Sequence, residues 1–175
     1  MLQSSRVARA PSPRHRAWNV FPPRVAISGA CALLACALLA LPRPAAAQDY
    51  PRAEVVIHGH TLVVDVADTP DLQVQGLSGR RRLGPDQGMI FVYGDLGDRV
   101  FWMRGMFIPI DMIWFNNSRV VHIEPSVPPP RQGMPERQLP TYRAPEHANL
   151  VLELTAGRAR ELGLKVGDRV EFKFR

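Results

Sequence analysis

The stretch DMIWFNNSRVVHIE, residues 111–124, decides the fold class. An apolar run from Asp111 to Phe115 is followed by Asn116-Asn117-Ser118 and by a second run from Arg119 to Glu124. Two such runs joined by a short Asn-rich segment predict a β-hairpin, because asparagine tolerates the left-handed backbone of a tight turn. We therefore expect the chain to be built around antiparallel strands.

More strands are predicted on both sides of this hairpin. In the run from Thr61 to Ala67, every second residue is apolar at Leu62, Val64 and Val66, which is the period of a strand with one buried face. His58-Gly59-His60 separates this run from an earlier one and is predicted to be a turn. The other predicted strands are residues 54–57, 89–93, 100–103, 150–154 and 168–174.

Two short helices are expected between the strands. Thr69-Pro70 predicts a helix start, because threonine caps helices and proline suits their first position, and Gly76 predicts the end of the same helix. Thr155 is expected to cap a second helix that continues to about Leu162.

The segment from Pro125 to Pro145 contains seven prolines, which cannot donate hydrogen bonds to a sheet. It is therefore predicted to be an irregular crossing loop. Short strands, two short helices, this loop and no βαβ rhythm predict an α+β, mostly β domain with a small β-barrel-like form.

The first 47 residues differ in composition from the rest. They hold six arginines and no acid, whereas residues 48–175 hold 16 basic and 16 acidic residues. Residues 25–41 are uncharged and apolar, and the small residues Ala45-Ala46-Ala47 follow them. This order predicts a signal peptide over residues 1–47 and a single periplasmic or secreted domain over residues 48–175.

Two other interpretations of the leader remain open. In the first, residues 25–41 stay as a membrane anchor, although a 17-residue helix spans about 26 Å and the hydrocarbon core is about 30 Å thick. In the second, Cys36 is the lipid attachment site of a lipoprotein, although apolar residues continue directly after it.

Charge and cysteine content exclude several functions for residues 48–175. The equal numbers of basic and acidic residues give no signal for a nucleic-acid partner, which needs a basic face. Both cysteines, Cys31 and Cys36, lie in the leader, so the rest of the chain has no thiolate nucleophile, disulfide or cysteine-ligated metal.

Seven short motifs resemble, in their order, the family called domain of unknown function 192. They lie between about residues 54 and 172, at positions 64–70, 75–80, 88–92, 101–104, 108–112, 151–154 and 163–170. The resemblance implies a small β-barrel-like fold and frequent export, and it implies no activity. The chain departs from the family at Arg104-Gly105, where Lys and Asn are usual, and in the proline-rich loop, which lacks the family's cysteines.

The candidate ligand-binding residues lie mostly between Phe101 and Phe115. Trp102 offers a flat apolar surface, and Arg104 and Asp111 offer charges, which together suit a small polar ligand such as a sugar fragment. The alternative is a buried ion pair between Arg104 and Asp111 with Trp102 in the core.

Two further acids, Asp65 and Glu153, stand in apolar strands. Paired with Asp111, either could share acid and base roles in a hydrolase. They could instead be structural acids paired with Arg80 or Arg104, so both interpretations remain open.

No metal or cofactor is expected. The pairs His58/His60 and His122/Glu124 have the spacing of ligands on one strand face, but a turn tip and a polar edge explain them better. Soft-metal binding is also conceivable, because Trp102 lies close in sequence to several thioethers that suit Cu(I). Core packing explains these methionines better; they are Met103, Met106 and Met112.

The sequence therefore predicts an exported envelope module that binds a small polar ligand or a partner protein. A cell-envelope hydrolase using inward carboxylates and a periplasmic soft-metal binder are the alternatives. No nucleic-acid partner is expected, and no membrane association is expected after cleavage of the signal peptide.

We expect the exported protein to begin at Gln48, because an apolar segment followed by small residues is what signal peptidase recognises. Intact-mass analysis of the periplasmic fraction tests this expectation. A membrane-bound product that retains residues 25–41 would contradict it.

Overall fold

The structure is a computed structural model that describes residues 50–175. The predicted leader, residues 1–47 with Cys31 and Cys36, lies outside the described residues. Within residues 50–175, no helix combines the length and the apolar character needed to cross a membrane.

The described residues form nine strands and two short α-helices, together with a single 3-10 turn at Glu136–Gln138. The helices are α1 (Pro70–Gln75) and α2 (Arg158–Glu161). The strands are β1 (Arg52–Ile57), β2 (His60–Ala67), β3 (Gln87–Gly97), β4 (Val100–Trp102), β5 (Ile110–Asn116), β6 (Arg119–Val127), β7 (Thr141–Arg143), β8 (Ala148–Thr155) and β9 (Glu171–Phe174).

Seven strands form one sheet in the order β6-β5-β8-β3-β2-β1-β9, and β4 pairs with β7 in a separate small sheet. Most neighbours are antiparallel, as the hairpin motif predicts, and the mostly β α+β class is confirmed. One pair differs, since β2 and β3 are parallel and are joined by a crossover that contains α1. This unit occurs once among the described strands, so it produces no repeating βαβ pattern in the sequence.

The large sheet does not close into a barrel. Its two outer strands, β6 and β9, do not pair, but the loop before β9 reaches β6 through backbone hydrogen bonds. Val120 donates to the carbonyl of Asp168 at 2.9 Å, and Val170 donates to the carbonyl of Ser118 at 2.9 Å. The barrel-like form predicted from the sequence is thus a curled sheet whose ends are joined by a loop.

Each face of the sheet carries its own hydrophobic cluster. The first cluster contains Leu62, Ile113 and Leu152, and it is covered by α2 and the segment that follows α2. The second cluster contains Met89, Trp114 and residues that follow α1 and β4. Because side chains alternate along a strand, neighbouring residues of β5 and β8 enter different clusters.

Pro125 lies within β6, although the sequence predicted that the irregular loop begins there. The register of β5 and β6 shifts between the pairs Ile110–Val127 and Met112–Glu124, which leaves two residues of β6 in a bulge. Proline is tolerated at a bulge of an edge strand because no partner needs its missing N–H. Within the predicted loop, Thr141–Arg143 also forms a strand, β7.

Asp111 holds this bulge in place. Its carboxylate is fully buried and accepts hydrogen bonds from the backbone N–H groups of Ser126 (2.8 Å), Gly157 (2.9 Å) and Ala159 (2.8 Å). The two last donors lie at the start of α2. One side chain therefore joins β5, the bulge of β6 and the second helix.

The two helix predictions have different outcomes. Helix α1 is confirmed at its predicted ends, with Thr69 accepting from the Leu72 N–H and Gly76 at a φ of 50°. The prediction that Thr155 caps the second helix is wrong. Thr155 ends β8, and α2 begins after Gly157, because Asp111 rather than a local side chain binds the free N–H groups.

We expect Asp111→Asn to lower the free energy of unfolding by about 3 kcal/mol or more, because an amide cannot accept all three buried N–H donors. Urea unfolding measures the loss. Asp98→Asn is the matched control, since that carboxylate is exposed, and should change stability by about 0.5 kcal/mol or less. Equal, small effects in both variants would contradict the anchoring role of Asp111.

Candidate functional site

A cleft of about 90 Å³ opens over the second hydrophobic cluster. Its walls are α1 with the turn that follows it, β3, and the segment from β4 to Met106. This volume holds about six water molecules, so the cleft suits a small chemical group rather than a large cofactor. The residues that give it chemical character are Gln73, Ser78, Tyr93, Trp102, Arg104 and Glu153, together with the apolar Phe91, Phe101 and Met106.

Glu153 is the acid that lines this cleft. It lies on β8 opposite Met89 of β3 and Met112 of β5, so its side chain is on the face of the second cluster, between two buried methionines. The side chain is 4% exposed. The sheet register therefore places the Glu153 carboxyl among apolar side chains, and the cleft is its route to solvent.

The Glu153 carboxyl makes no hydrogen bond or ion pair with any other group of residues 50–175. Burial raises the pKa of Glu153 to about 8, and the charge of Arg80 opposes this rise in part. Because an acid in water has a pKa near 4.3, the group holds its proton at neutral pH. Its carboxyl oxygens are not among the sealed polar atoms of residues 50–175 that lack a partner, so they reach the cleft. An acid with a strongly raised pKa in a cleft is a candidate functional group.

Tyr93 forms the wall beside Glu153. Burial raises the pKa of Tyr93 to about 12, an effect that Arg99 opposes and Glu153 adds to. The Arg99 guanidinium lies 4.1 Å from the centre of the Tyr93 ring and also binds Asp95 at 2.8 Å. The Tyr93 phenol therefore stays protonated at physiological pH, with Arg99 packed against its ring.

Trp102 and Arg104 form the rim of the cleft. Trp102 is 45% exposed, and the Arg104 guanidinium lies 5.6 Å from the centre of its ring, within the range of a cation–π contact. The Arg104 guanidinium also binds Glu136 at 3.3 Å. The Arg104 carbonyl accepts a hydrogen bond from the Ser78 hydroxyl at 2.8 Å, which ties this rim to the turn after α1.

Asp65 and Arg80 lie beside the cleft as an ion pair. Their closest atoms are 2.5 Å apart, and Arg52 approaches the same carboxylate at 3.7 Å. Asp65 is paired with Met89 in the sheet register, so it shares the face of Glu153 but is two strands away. Of the two partners that the sequence suggested for Arg80, Asp65 makes the contact.

The structure does not bring Asp111 to this cleft. Asp111 is paired with Leu154, so its side chain lies on the face of the first cluster, opposite to Glu153. Its carboxylate is occupied by three backbone donors, and Arg104 binds Glu136 instead. Trp102, Arg104 and Glu153 therefore meet, whereas Arg104 and Asp111 form neither a pair nor a common pocket.

The family of the chain follows from its sequence over this same region. The model of the domain of unknown function 192 family, described as an uncharacterized ACR, matches residues 53–172. The chain belongs to this family. No curated protein matches it.

Two solved structures of similar proteins share the fold. One, from Sinorhizobium meliloti 1021, is described as a candidate transcription regulator; it is 28% identical with a TM-score of 0.62, over 74% of this chain and 98% of that chain. The other, a protein of unknown function from Novosphingobium aromaticivorans DSM 12444, is 30% identical with a TM-score of 0.60, over 74% and 89% of the two chains.

The histidines and methionines of this family member lie apart from the cleft carboxyl or within the core. His58 hydrogen-bonds the carbonyl of Leu162 at 3.0 Å and lies 3.3 Å from Asp168, while His60 is exposed. His122 contacts Glu124 at 3.5 Å. Among residues 50–175, no three His, Cys, Asp or Glu side chains are grouped as metal ligands. The three methionines belong to the second cluster, as packing predicts; they are Met103, Met106 and Met112.

Sequence reasoning missed Tyr93 and Gln73. Tyr93 was assigned to a strand without a role, although a phenol at the end of an apolar run is a signal for a polar tip near a surface. Gln73 of α1 donates to the carbonyl of Val92 at 2.9 Å and thereby fixes the helix over β3. Nothing in the sequence near Gln73 indicates that contact.

We expect the protein to become more stable as the pH falls from 8 to 5. Folded Glu153 keeps its proton up to about pH 8, whereas an unfolded glutamate loses it near 4.5, so the unfolded state binds fewer protons between these values. The contribution is at most about 5 kcal/mol and is lost as the pH rises.

Glu153→Gln should remove this part of the pH dependence and should be more stable than the wild type at pH 8. Urea unfolding at several pH values measures both effects. Glu171→Gln, on the edge strand β9, is the control and should keep the wild-type slope. Identical slopes in the wild type and Glu153→Gln would contradict the raised pKa.

Proposed function

We propose that this chain is exported and that its domain is a binding or accessory module of the cell envelope, which takes a small polar ligand in the cleft over Glu153. The observation that supports this proposal is the Glu153 carboxyl, which is buried, has no partner in residues 50–175 and opens into the cleft. A ligand that supplies its missing hydrogen bond would offset the cost of its burial.

The walls of the cleft support binding of a ligand that is partly apolar. Phe91 and Phe101 pack edge to face with ring centres 4.8 Å apart, and Trp102 presents an exposed ring at the rim. Rings of this kind bury the carbon skeleton of a ligand, while a few polar groups fix its orientation. This mixture is typical of recognition sites for small molecules.

The geometry favours binding over hydrolysis. A two-carboxylate mechanism needs both acids on one side of the reacting bond, but Asp111 and Glu153 lie on opposite faces of the sheet. Asp65, the acid on the same face, is already paired with Arg80. Glu153 is thus left without a second free carboxylate, so the hydrolase alternative has less support than the binding module.

The relative from Sinorhizobium meliloti is described as a candidate transcription regulator. For the present chain, residues 48–175 hold equal numbers of basic and acidic residues. Arg80, Arg99 and Arg104 are each paired with an acid. These charges do not favour binding to a phosphate backbone, so we propose a ligand other than nucleic acid.

Thermal unfolding of the purified protein with a panel of small compounds tests the proposed function. The panel contains N-acetylglucosamine, glucose, glycine, butylamine and butyric acid at millimolar concentration. At least one compound is expected to raise Tm by several degrees, since a ligand that binds only the folded state stabilises it by mass action.

Trp102→Ala should reduce that rise, because Trp102 lines the cleft. Leu96→Ala is the matched control: Leu96 is another exposed apolar side chain, 48% exposed, that does not line the cleft. No rise with any compound, or a rise that Trp102→Ala leaves unchanged, would contradict the cleft as the binding site.

A further inference from the structure

The charges around the cleft leave one group uncompensated. Arg80 is bound to Asp65 at 2.5 Å, Arg99 to Asp95 at 2.8 Å and Arg104 to Glu136 at 3.3 Å. These three arginines each have a carboxylate partner, whereas the Glu153 carboxyl has none among residues 50–175. When Glu153 is ionised, the cleft carries one unbalanced negative charge at its floor.

Three polar side chains that line the cleft have their donors engaged elsewhere. The amide nitrogen of Gln73 donates to the carbonyls of Val92 and Ala67, and that of Gln75 donates to the carbonyl of Ser78. The Ser78 hydroxyl donates to the carbonyl of Arg104. The oxygens of these three groups can still accept hydrogen bonds from a ligand, and the Tyr93 hydroxyl can accept one as well as donate one.

Aromatic side chains line the same cleft. Phe91, Tyr93, Phe101 and Trp102 all contribute to its surface. The faces of such rings attract cations, and an ionised Glu153 beside them adds a charge of opposite sign. The volume of about 90 Å³ admits the end of an alkyl chain with its charged group.

We propose that the cleft binds an alkylammonium group, whose charge is neutralised by Glu153 and whose carbon chain packs against the aromatic walls. This assignment rests on the proposed binding function and names the chemical class of its ligand. An ammonium is the group that supplies both the missing charge and the missing hydrogen-bond donors.

Binding of a cation is coupled to release of the proton from Glu153. Burial holds that proton on the free protein up to about pH 8, so the ionised form that binds a cation is a minor species at pH 6. The apparent affinity is reduced by the fraction of this form. Four charged or titratable groups surround Glu153: Tyr93 on β3, Asp65 on β2, Arg80 after α1 and Arg104 after β4. The elements α1 and β5 contribute only the uncharged side chains of Gln73 and Met112.

The test compares three probes of similar size by calorimetric titration of the purified protein: n-butylammonium, n-butanol and n-butyrate. We expect n-butylammonium to bind at least tenfold more tightly than the other two at pH 8. Its affinity should fall about fiftyfold between pH 8 and pH 6, because the ionised fraction of Glu153, whose pKa is about 8, falls from about one half to about one hundredth. A fourth probe, Nα-acetyl-lysine methylamide, carries the same ammonium group on a peptide-like backbone. If the natural ligand is a lysine side chain of a partner protein, this probe should bind more tightly than n-butylammonium; if it is a free amine, it should not.

Two variants, one at a buried position and one at an exposed position, separate loss of binding from loss of folding. Glu153→Gln should lose the preference for n-butylammonium and its pH dependence, while Trp102→Ala, at an exposed position, should weaken n-butylammonium binding severalfold. Glu171→Gln is the control and should match the wild type in affinity.

The outcomes separate this inference from the proposed function. Equal binding of the three probes, or preference for n-butyrate, would overturn the assignment to a cation while leaving a cleft that binds ligands. Binding of n-butylammonium that Glu153→Gln leaves unchanged would overturn it as well. If none of the probes binds but another compound of the panel raises Tm through Trp102, the cation class is wrong and the binding function stands.

Discussion

The Asp111 carboxylate is the point on which the arrangement of this domain depends. Strand β5 is central to the packing because it lies between β6 and β8, and Asp111 is fully buried near its start. Its three backbone hydrogen bonds fix the bulge that lets Pro125 enter β6, and they replace the missing side-chain cap of α2. A charged group can be buried at this depth because each of those bonds is made to a donor that would otherwise be unpaired.

Asp111 and Glu153 show how the same type of residue takes opposite roles on the two faces of one sheet. The two residues are neighbours across β5 and β8, displaced by one position in register. That single step places Asp111 toward the first cluster, among backbone donors, and Glu153 toward the second cluster, between Met89 and Met112. The first acid is structural because its hydrogen-bonding capacity is filled, and the second remains chemically available because no neighbour fills it.

Much of this fold could be predicted from local sequence, since its signals are short in range. The ends of α1, the turns at His58-Gly59 and Asn117-Ser118, and most strands follow from caps, turn residues and alternation. The parallel pair of β2 and β3, the bulge at Pro125 and strand β7 could not be predicted, because each depends on a partner distant in sequence. The same limit applies to the site. The sequence identified Trp102, Arg104 and several acids as candidates, but only the sheet register determines that Glu153, and not Asp111, lies beside Trp102 and Arg104.

The sheet register also explains why Arg104 meets Glu153 at the cleft and does not pair with Asp111. Asp111 is only seven residues from Arg104, and proximity in sequence suggested that they form a pair. Between them the chain leaves the small sheet of β4 and enters the large one at β5, so the two side chains belong to different layers. Glu153, which is 49 residues from Arg104, reaches the cleft because β8 runs beneath it. Asp111, with its acceptors filled, is therefore part of the architecture, whereas Glu153, which opens toward solvent, is the acid on which the proposed binding function rests.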